Sequence, residues 1–547
     1  MATPTSIPQP PGIPLVGNLL DVDPSNTWWS LKKLAERYGE IFQIKVLGHT
    51  IVFVASVALA EEICDEKRFR KFVGGPIVQI RDTVHDSLFT AYDNEESWGI
   101  AHRIVAPLLS TQSIATRLDE VIQCTDELIA KWKGLGANRQ TQPLTDLNSL
   151  NLEATTLTLF GKKLDSINGP PHPVIGAMED ATSEAMKRPN RPRLLNWLVY
   201  GGKWKKSAKT LRAYGAELVE HRKRNPTDRH DLLWALLNGT DPESGKALTE
   251  SQVIDEIVTM PIGSSTAPCA IAAGILFLTQ NPDVVVKARA ELDAVVGDGP
   301  LKPEHLSELP YITAVVRETL RLSFAAPGFN IEPIPKKGDD SPVLLAGGKY
   351  RVAHSQAMII VLAGVNRDPA VFEDPLAFRP ERMLGDAFAA LPAGAKKWFG
   401  NGKRECIGKH WAWDFLVVVT AKLIKDLDFE AADPAYELKQ DGWFNVRPID
   451  FSVKTSFVAI FAAVFSVASA VTISLPSGVS IPSGVTLPSQ VTLVSATPTS
   501  TAAAANGNDK RQQSATRSFG IRQNFNFGQQ TSSSGAQKTA RANADDN

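Results

Sequence analysis

Cysteine is scarce in this chain: Cys64, Cys124, Cys269 and Cys406 are the four in 547 residues. They stand far apart, which excludes a disulfide framework and favours a reducing, intracellular compartment. A leader is also lacking. Only seven residues precede the proline-rich stretch Pro8-Gln9-Pro10-Pro11-Gly12-Ile13-Pro14, and none of them forms an apolar run. Neither a signal peptide nor an N-terminal anchor is expected, because each needs a continuous apolar segment. Charge of one sign is missing too, since 58 basic and 59 acidic residues leave a net charge of −1. That balance offers no general field for nucleic acid or an anionic membrane. What is there, 43% hydrophobic and 21% charged residues, suits a globular protein that buries a core. The length allows one large domain or several ordinary ones.

Helical periodicity dominates the body. Ser30 to Tyr38, Val57 to Lys67, Thr116 to Trp132, Leu211 to Arg224 and Asp283 to Val296 carry apolar residues at helical spacing with charges between. Asn281-Pro282-Asp283 is a helix start with proline in the first turn. Glu40 to Val46 alternates and Thr50 to Val54 follows a Gly-His turn, which predicts a hairpin; Val343 to Tyr350 and Phe451 to Thr455 read as short extended segments. Residues 1–455 are thus expected to form one mostly α domain with a small β portion. Its size exceeds that of an ordinary bundle, so a cofactor-enclosing interior is expected. Residues 456–475 are uncharged and apolar, a candidate tail anchor at the lower range for a bilayer-spanning helix. The hexapeptides PSGVSI, PSGVTL and PSQVTL follow, within a low-complexity stretch, 476–547, expected to be disordered.

The most informative stretch is Phe399-Gly400-Asn401-Gly402-Lys403-Arg404-Glu405-Cys406-Ile407-Gly408. Gly402 and Gly408 bracket the cysteine, so the backbone can turn tightly and approach a flat ligand. A helical pattern begins after Gly408, which sets Cys406 before a positive dipole end that lowers a thiol pKa. Phe399 could cover the sulfur. Two other readings stand beside this one: a structural cysteine in a glycine turn, and a zinc pair with His410, although no companion CxxC or HxxxH cluster occurs.

Phe-x-x-Gly-x-Arg-x-Cys-x-Gly resembles the haem-binding signature of the cytochrome P-450 family, with all five defining positions present. Three further segments resemble that family in order: Trp98 to Arg103, Glu318-Thr319-Leu320-Arg321, and Phe378-Arg379-Pro380-Glu381-Arg382. The resemblance implies the cytochrome P-450 fold, haem b with Cys406 as axial ligand, and Arg404, Trp98 and His102 on the propionates. It also implies a buried ion network of Glu318, Arg321 and Arg382 behind the haem. It runs from about Pro10 to Thr455 and is closest to soluble fatty-acid hydroxylases fused to their own reductase. In that branch the residues matching Phe89 and Ala326-Pro327 line the substrate pocket.

Two departures bear on function. No glycine-rich flavin or nicotinamide fingerprint follows Thr455, so electrons from NADPH are expected through a separate reductase. His49 and Phe53 stand where the fatty-acid hydroxylase holds its substrate's carboxylate. The oxygen-activating helix is placed at Asp255 to Thr279 and reads Ile262-Gly263-Ser264-Ser265-Thr266-Ala267-Pro268. Thr266 is retained, and its hydroxyl could hydrogen-bond oxygen and help deliver protons. Ser265 replaces the family's acid, Ile262 narrows the pocket, and Pro261 and Pro268 each remove a helix hydrogen bond. The expected activity is insertion of one oxygen atom from O2 into a hydrophobic small molecule, a fungal secondary-metabolite intermediate. A peroxide-driven or rearranging enzyme of the same fold, or an inactive haem-binding remnant, is the alternative. The expected location is the cytoplasm or the cytoplasmic face of the endoplasmic reticulum.

Overall fold

The predicted hairpin forms from β1 (Ile41–Val46) and β2 (His49–Val54), in register from Ile41↔Val54 to Val46↔His49, with Ile41, Phe42, Val52, Phe53 and Val54 buried at one end and the turn end open. The computed structural model describes residues 5–14, 16–46, 48–136, 139–442 and 444–457, and the strands Val471–Leu475 and Val491–Ser495. The hairpin is one edge of a five-stranded sheet whose other strands are β3 (Phe69–Lys71), β4 (Gly328–Pro333) and β5 (Met358–Val361). Their order is β1-β2-β5-β4-β3, so the sheet joins chain regions that no local pattern connects. Val343–Leu345 and Tyr350–Val352 form a separate antiparallel pair.

The rest is mostly helical, as the sequence predicts. Leu118–Gly134, Pro143–Phe160, Thr266–Gln280, Pro310–Ser323 and Lys409–Asp426 pack on one another around one large core. Thr266–Gln280 contains no charged residue, and every side chain from Ala267 to Leu278 is buried. A helix apolar on all sides has no solvent face and belongs in the interior. The run Glu250–Gln280 is the one helical stretch among the described residues long and apolar enough to cross a membrane, and most of it is buried within the fold.

Two helix boundaries differ from the periodicity. Val57 onward stops at Ile63 because Cys64 caps it and the Asp65 carbonyl then accepts from Arg68 and Phe69 in a turn leading to β3. The helix ending at Arg224 starts at Gly201, where lysines and two glycines mask the apolar stripe. The predicted oxygen-activating helix is two pieces, Glu250–Ser264 and Thr266–Gln280, broken at Ser265. Pro268 has no N–H for the Ser264 carbonyl, which accounts for a break at that place.

The chain divides into two units, Met1–Ile460 and Phe461–Asn547. The last strand of the first is Val453–Phe457, paired with Leu427–Ala431. In the second, Val471–Leu475 and Val491–Ser495 pair in parallel. The rest of the candidate anchor, 458–470, and of the low-complexity tail, 476–490 and 496–547, lies outside the described residues.

Candidate active site

Cys406 closes a tight loop: its N–H donates to the Phe399 carbonyl at 2.8 Å, and the helix Lys409–Asp426 starts three residues later with Gly408 as N-cap. Gly400 and Gly402 have φ of 85° and 62°, the left-handed region. A Cβ on Gly402 would meet the Glu66 carboxylate, which a side-chain movement can relieve, so the positive φ is what calls for glycine here. Gly408 differs. Its φ of −87° suits any residue, but a Cβ there would enter open space in the cavity. The sulfur lies deep in the protein yet is open to that cavity, whose volume is about 1550 Å³. Small-molecule pockets run to about 300–1,000 Å³, so this one has room for a prosthetic group and a substrate together.

The thiol pKa does not follow the helix-dipole expectation. The Gly408 N–H does point at the sulfur, but burial outweighs it and pushes the thiol up. A cation at the sulfur would reverse that balance. Zinc with His410 is not supported: His410 Nδ1 meets Thr111 Oγ1 at 3.1 Å, and no cluster of three or more His, Cys, Asp or Glu forms a metal site among the described residues.

Cations gather around one part of the cavity. Arg404 donates to the Ala91 carbonyl at 2.9 Å and lies 4.9 Å from the Trp98 ring. His102 stacks on Trp98 at 4.8 Å, and burial lowers its pKa, with the charges of Arg103 and Arg404 adding to the effect. Lys71 joins them, and the sequence reading did not find it. Its Nζ sits 5.2 Å from the Phe89 ring; burial pushes its pKa down to about 7, the Arg404 cation acts the same way, and Cys406 opposes. Its neighbours Phe69 and Arg70 line the same cavity, so side-chain alternation in this short strand did not single it out.

Another wall comes from the broken helix. Ile262, Gly263, Ser264 and Thr266 line the cavity, and Gly263 opens directly onto it. Ser265 does not: it is 7% exposed, its hydroxyl donates to the Ile262 carbonyl at 2.8 Å, and it accepts from Asn445 Nδ2 at 2.8 Å. Ser265 is thus turned into the packing behind the wall, one residue before Thr266. Phe89, Ala326 and Pro327 line the cavity, and Phe444, which was not singled out, meets Phe89 edge-on at 6.0 Å. Phe53 contributes an apolar surface, whereas His49 stands outside the lining on an exposed strand end.

Glu318 and Arg321 are both fully buried, with Arg321 Nε and Nη2 each 2.7 Å from a Glu318 oxygen. Arg321 also donates to the carbonyls of Asn366, Pro375 and Ala377. Arg382 Nε lies 3.4 Å from Glu318, and the Arg379 N–H donates to the same oxygen at 2.9 Å. Glu318 thus collects Arg321, Arg382 and the Arg379 N–H at one buried carboxylate.

These residues fit haem. Lys71 and Arg404 are half-buried cations that line the cavity without a carboxylate partner among the described residues; two propionates would supply it. Gly408 leaves space beside the sulfur for a flat ring. Comparison with known proteins agrees. The cytochrome P450 family model matches residues 7–454. A bifunctional cytochrome P450/NADPH–P450 reductase of Aspergillus oryzae is 36% identical over 460 residues, 83% of this chain and 42% of that protein. The bifunctional cytochrome P450/NADPH–P450 reductase ascE of Acremonium egyptiacum is 36% identical over 81% of this chain and 42% of its own length. The self-sufficient cytochrome P450 monooxygenase CYP505E3 of Phanerodontia chrysosporium is 34% identical over 82% and 42%. The chain spans about 42% of the length of these relatives. It belongs to the cytochrome P450 family.

Proposed function

We propose that this chain is a haem-thiolate monooxygenase in which Cys406 Sγ would hold the iron. It inserts one atom of O2 into a hydrophobic small molecule, a fungal secondary-metabolite intermediate, using NADPH electrons from a separate reductase. The observation that carries this is the position of Cys406, open to a large cavity beside Lys71, Arg404 and His102, which have propionate-binding chemistry. Haem ligated by thiolate supplies reductive oxygen activation, with electron donation from sulfur favouring O–O cleavage. The chain's own residues do the rest. Lys71, Arg404, His102 and Trp98 would hold the carboxylates. Thr266 presents a hydroxyl to the cavity that can hold a proton and orient water. Phe89, Ile262, Ala326 and Phe444 give the substrate an apolar wall and exclude bulk water.

A hydrophobic substrate without a carboxylate is supported by His49 and Phe53, which offer no clamp for one. The named relatives are bifunctional with a reductase, which supports an NADPH-dependent flavoprotein as the electron donor. The free cysteines suit the cytoplasm or the cytoplasmic face of the endoplasmic reticulum.

The decisive experiment is the spectrum of the reduced, carbon-monoxide-bound protein. It should show the red-shifted Soret band of thiolate ligation, and Cys406→Ala should lose it; an unchanged band in the variant would rule out Cys406. One observation favours a second reading. Ser265, in place of an acid, is already engaged by Asn445 and leaves no titrating group there. A peroxide-driven enzyme needs less from that position. Product with NADPH and reductase supports the monooxygenase, product only with peroxide supports the second reading, and product with neither indicates a haem-binding remnant.

A further inference from the structure

Residues 85–91 join the helices Pro76–Val84 and Glu96–Val105 and belong to neither helix nor strand. Two of them, Leu88 and Phe89, line the cavity. His85 opens the segment with a φ of 42°, in the left-handed region that a non-glycine residue adopts only where its surroundings hold it. An irregular segment has no partner strand to fix its backbone, so its place depends on the side chains that reach it.

Three of these come from about one turn of the helix Glu250–Ser264. Asp255, 2% exposed, takes His85 Nδ1 at 3.0 Å and the Arg212 guanidinium. Thr259 Oγ1 hydrogen-bonds Ser87 Oγ at 2.9 Å. The Leu88 N–H donates to Glu256 Oε1 at 2.9 Å, with both groups buried. Glu256 is the costly member of the three. It forms no ion pair among the described residues, and its Oε2 is buried without a hydrogen-bond partner among them. A leucine would fill that place without the desolvation cost, but it could not accept a backbone N–H.

That N–H belongs to the residue before Phe89. The Phe89 ring lies between Lys71 Nζ, 5.2 Å away, and Phe444, edge-on at 6.0 Å. These contacts steer the ring, whereas the bond to Glu256 sets the backbone that carries it. Beyond Phe89, the Thr90 and Ala91 carbonyls accept from Arg81 and Arg404, so Leu88 is the fixed point on the near side.

We propose that Glu256 is a positioning residue: by holding the Leu88 N–H it fixes Phe89 in the cavity wall and so sets the size of molecule that the site accepts. This rests on the reading of the cavity as the substrate site. The probes are imidazole and 1-tritylimidazole, a small and a bulky nitrogen base, titrated by calorimetry into the haem-loaded full chain. The Soret band is followed in the same samples, so the band tests the haem reading and the affinity ratio tests Glu256. Phe89→Ala enlarges the cavity and should shift the ratio toward the trityl compound. Glu256→Leu should shift it the same way by at least about threefold. Glu256→Gln, which keeps a carbonyl oxygen for Leu88, should restore the original ratio. Added to Phe89→Ala, Glu256→Leu should contribute nothing more, because both act through one ring. Melting temperature checks the fold of each variant; Thr259→Val, which frees Ser87 instead, replaces Glu256→Leu if that variant is unfolded and should shift the ratio in the same direction. An unchanged ratio overturns the proposal, and so does a shift equally large in Glu256→Gln. A shift that persists in full beside Phe89→Ala would also overturn it, because Glu256 would then act on the fold and not through Phe89.

Discussion

Asn445 Nδ2 donates a 2.8 Å hydrogen bond to Ser265 Oγ across 180 residues of sequence. Ser265 stands where the P450 resemblance implies an acid, and its hydroxyl proton is already given to the Ile262 carbonyl. The pair ties the chain beside Val446–Pro448 to the break in the long helix. It fixes the geometry of that break, but it offers no group that titrates near neutral pH.

The first prediction concerns coupling. Ser265→Glu should raise product formed per NADPH, because a carboxylate can relay protons where a hydroxyl held by Asn445 does not. Thr266→Ala should lower it by removing the hydroxyl that faces the cavity. Measuring NADPH consumption, product and hydrogen peroxide together checks both. No change in either variant would mean that protonation at this wall does not limit the enzyme.

The buried ion network should be costly to break. Arg321 makes five hydrogen bonds with its guanidinium while 0% exposed. Arg321→Ala leaves buried Glu318 with Arg382, 3.4 Å away, as its remaining cationic partner, and should cost up to about 3–5 kcal/mol. Arg321→Lys should also destabilise, since an ammonium cannot reproduce the planar fork. Urea denaturation measures both.

Stability should fall with rising pH through Glu256. Burial pushes its carboxyl from 4.5 to about 8, with Asp255 and Asp86 adding to the effect, while the Leu88 N–H bonded to Oε1 opposes it. Oε2 is buried without a partner among the described residues. Between these two pH values the folded state holds a proton that the unfolded chain has released. The stability linked to that proton is therefore complete below about 4.5 and lost as pH rises through about 8. The local slope is about 1.4 kcal/mol per pH unit. Glu256→Gln should flatten the difference; parallel stability–pH curves for variant and wild type would refute the assignment.

Removing the residues after Ile460 should leave the first unit folded. Its last strand is already paired with Leu427–Ala431 by Phe457. Truncation at Ile460 is expected to keep the melting temperature and the haem content. A cut before Val453 should lower both, because Leu427–Ala431 would lose its partner strand.

Much of the protein is written locally. The glycine-bracketed cysteine, the helix behind it, the Glu318–Arg321 spacing and the first hairpin each depend on residues within one or two turns, so their patterns could be read directly. Backbone geometry and side-chain period act over that range. What the tertiary structure alone decided is long-range. Asn445 meets Ser265, β2 pairs with β5 across some 300 positions, and Lys71 meets Arg404 at the cavity. No period in the sequence encodes such meetings, because they follow from how whole elements pack.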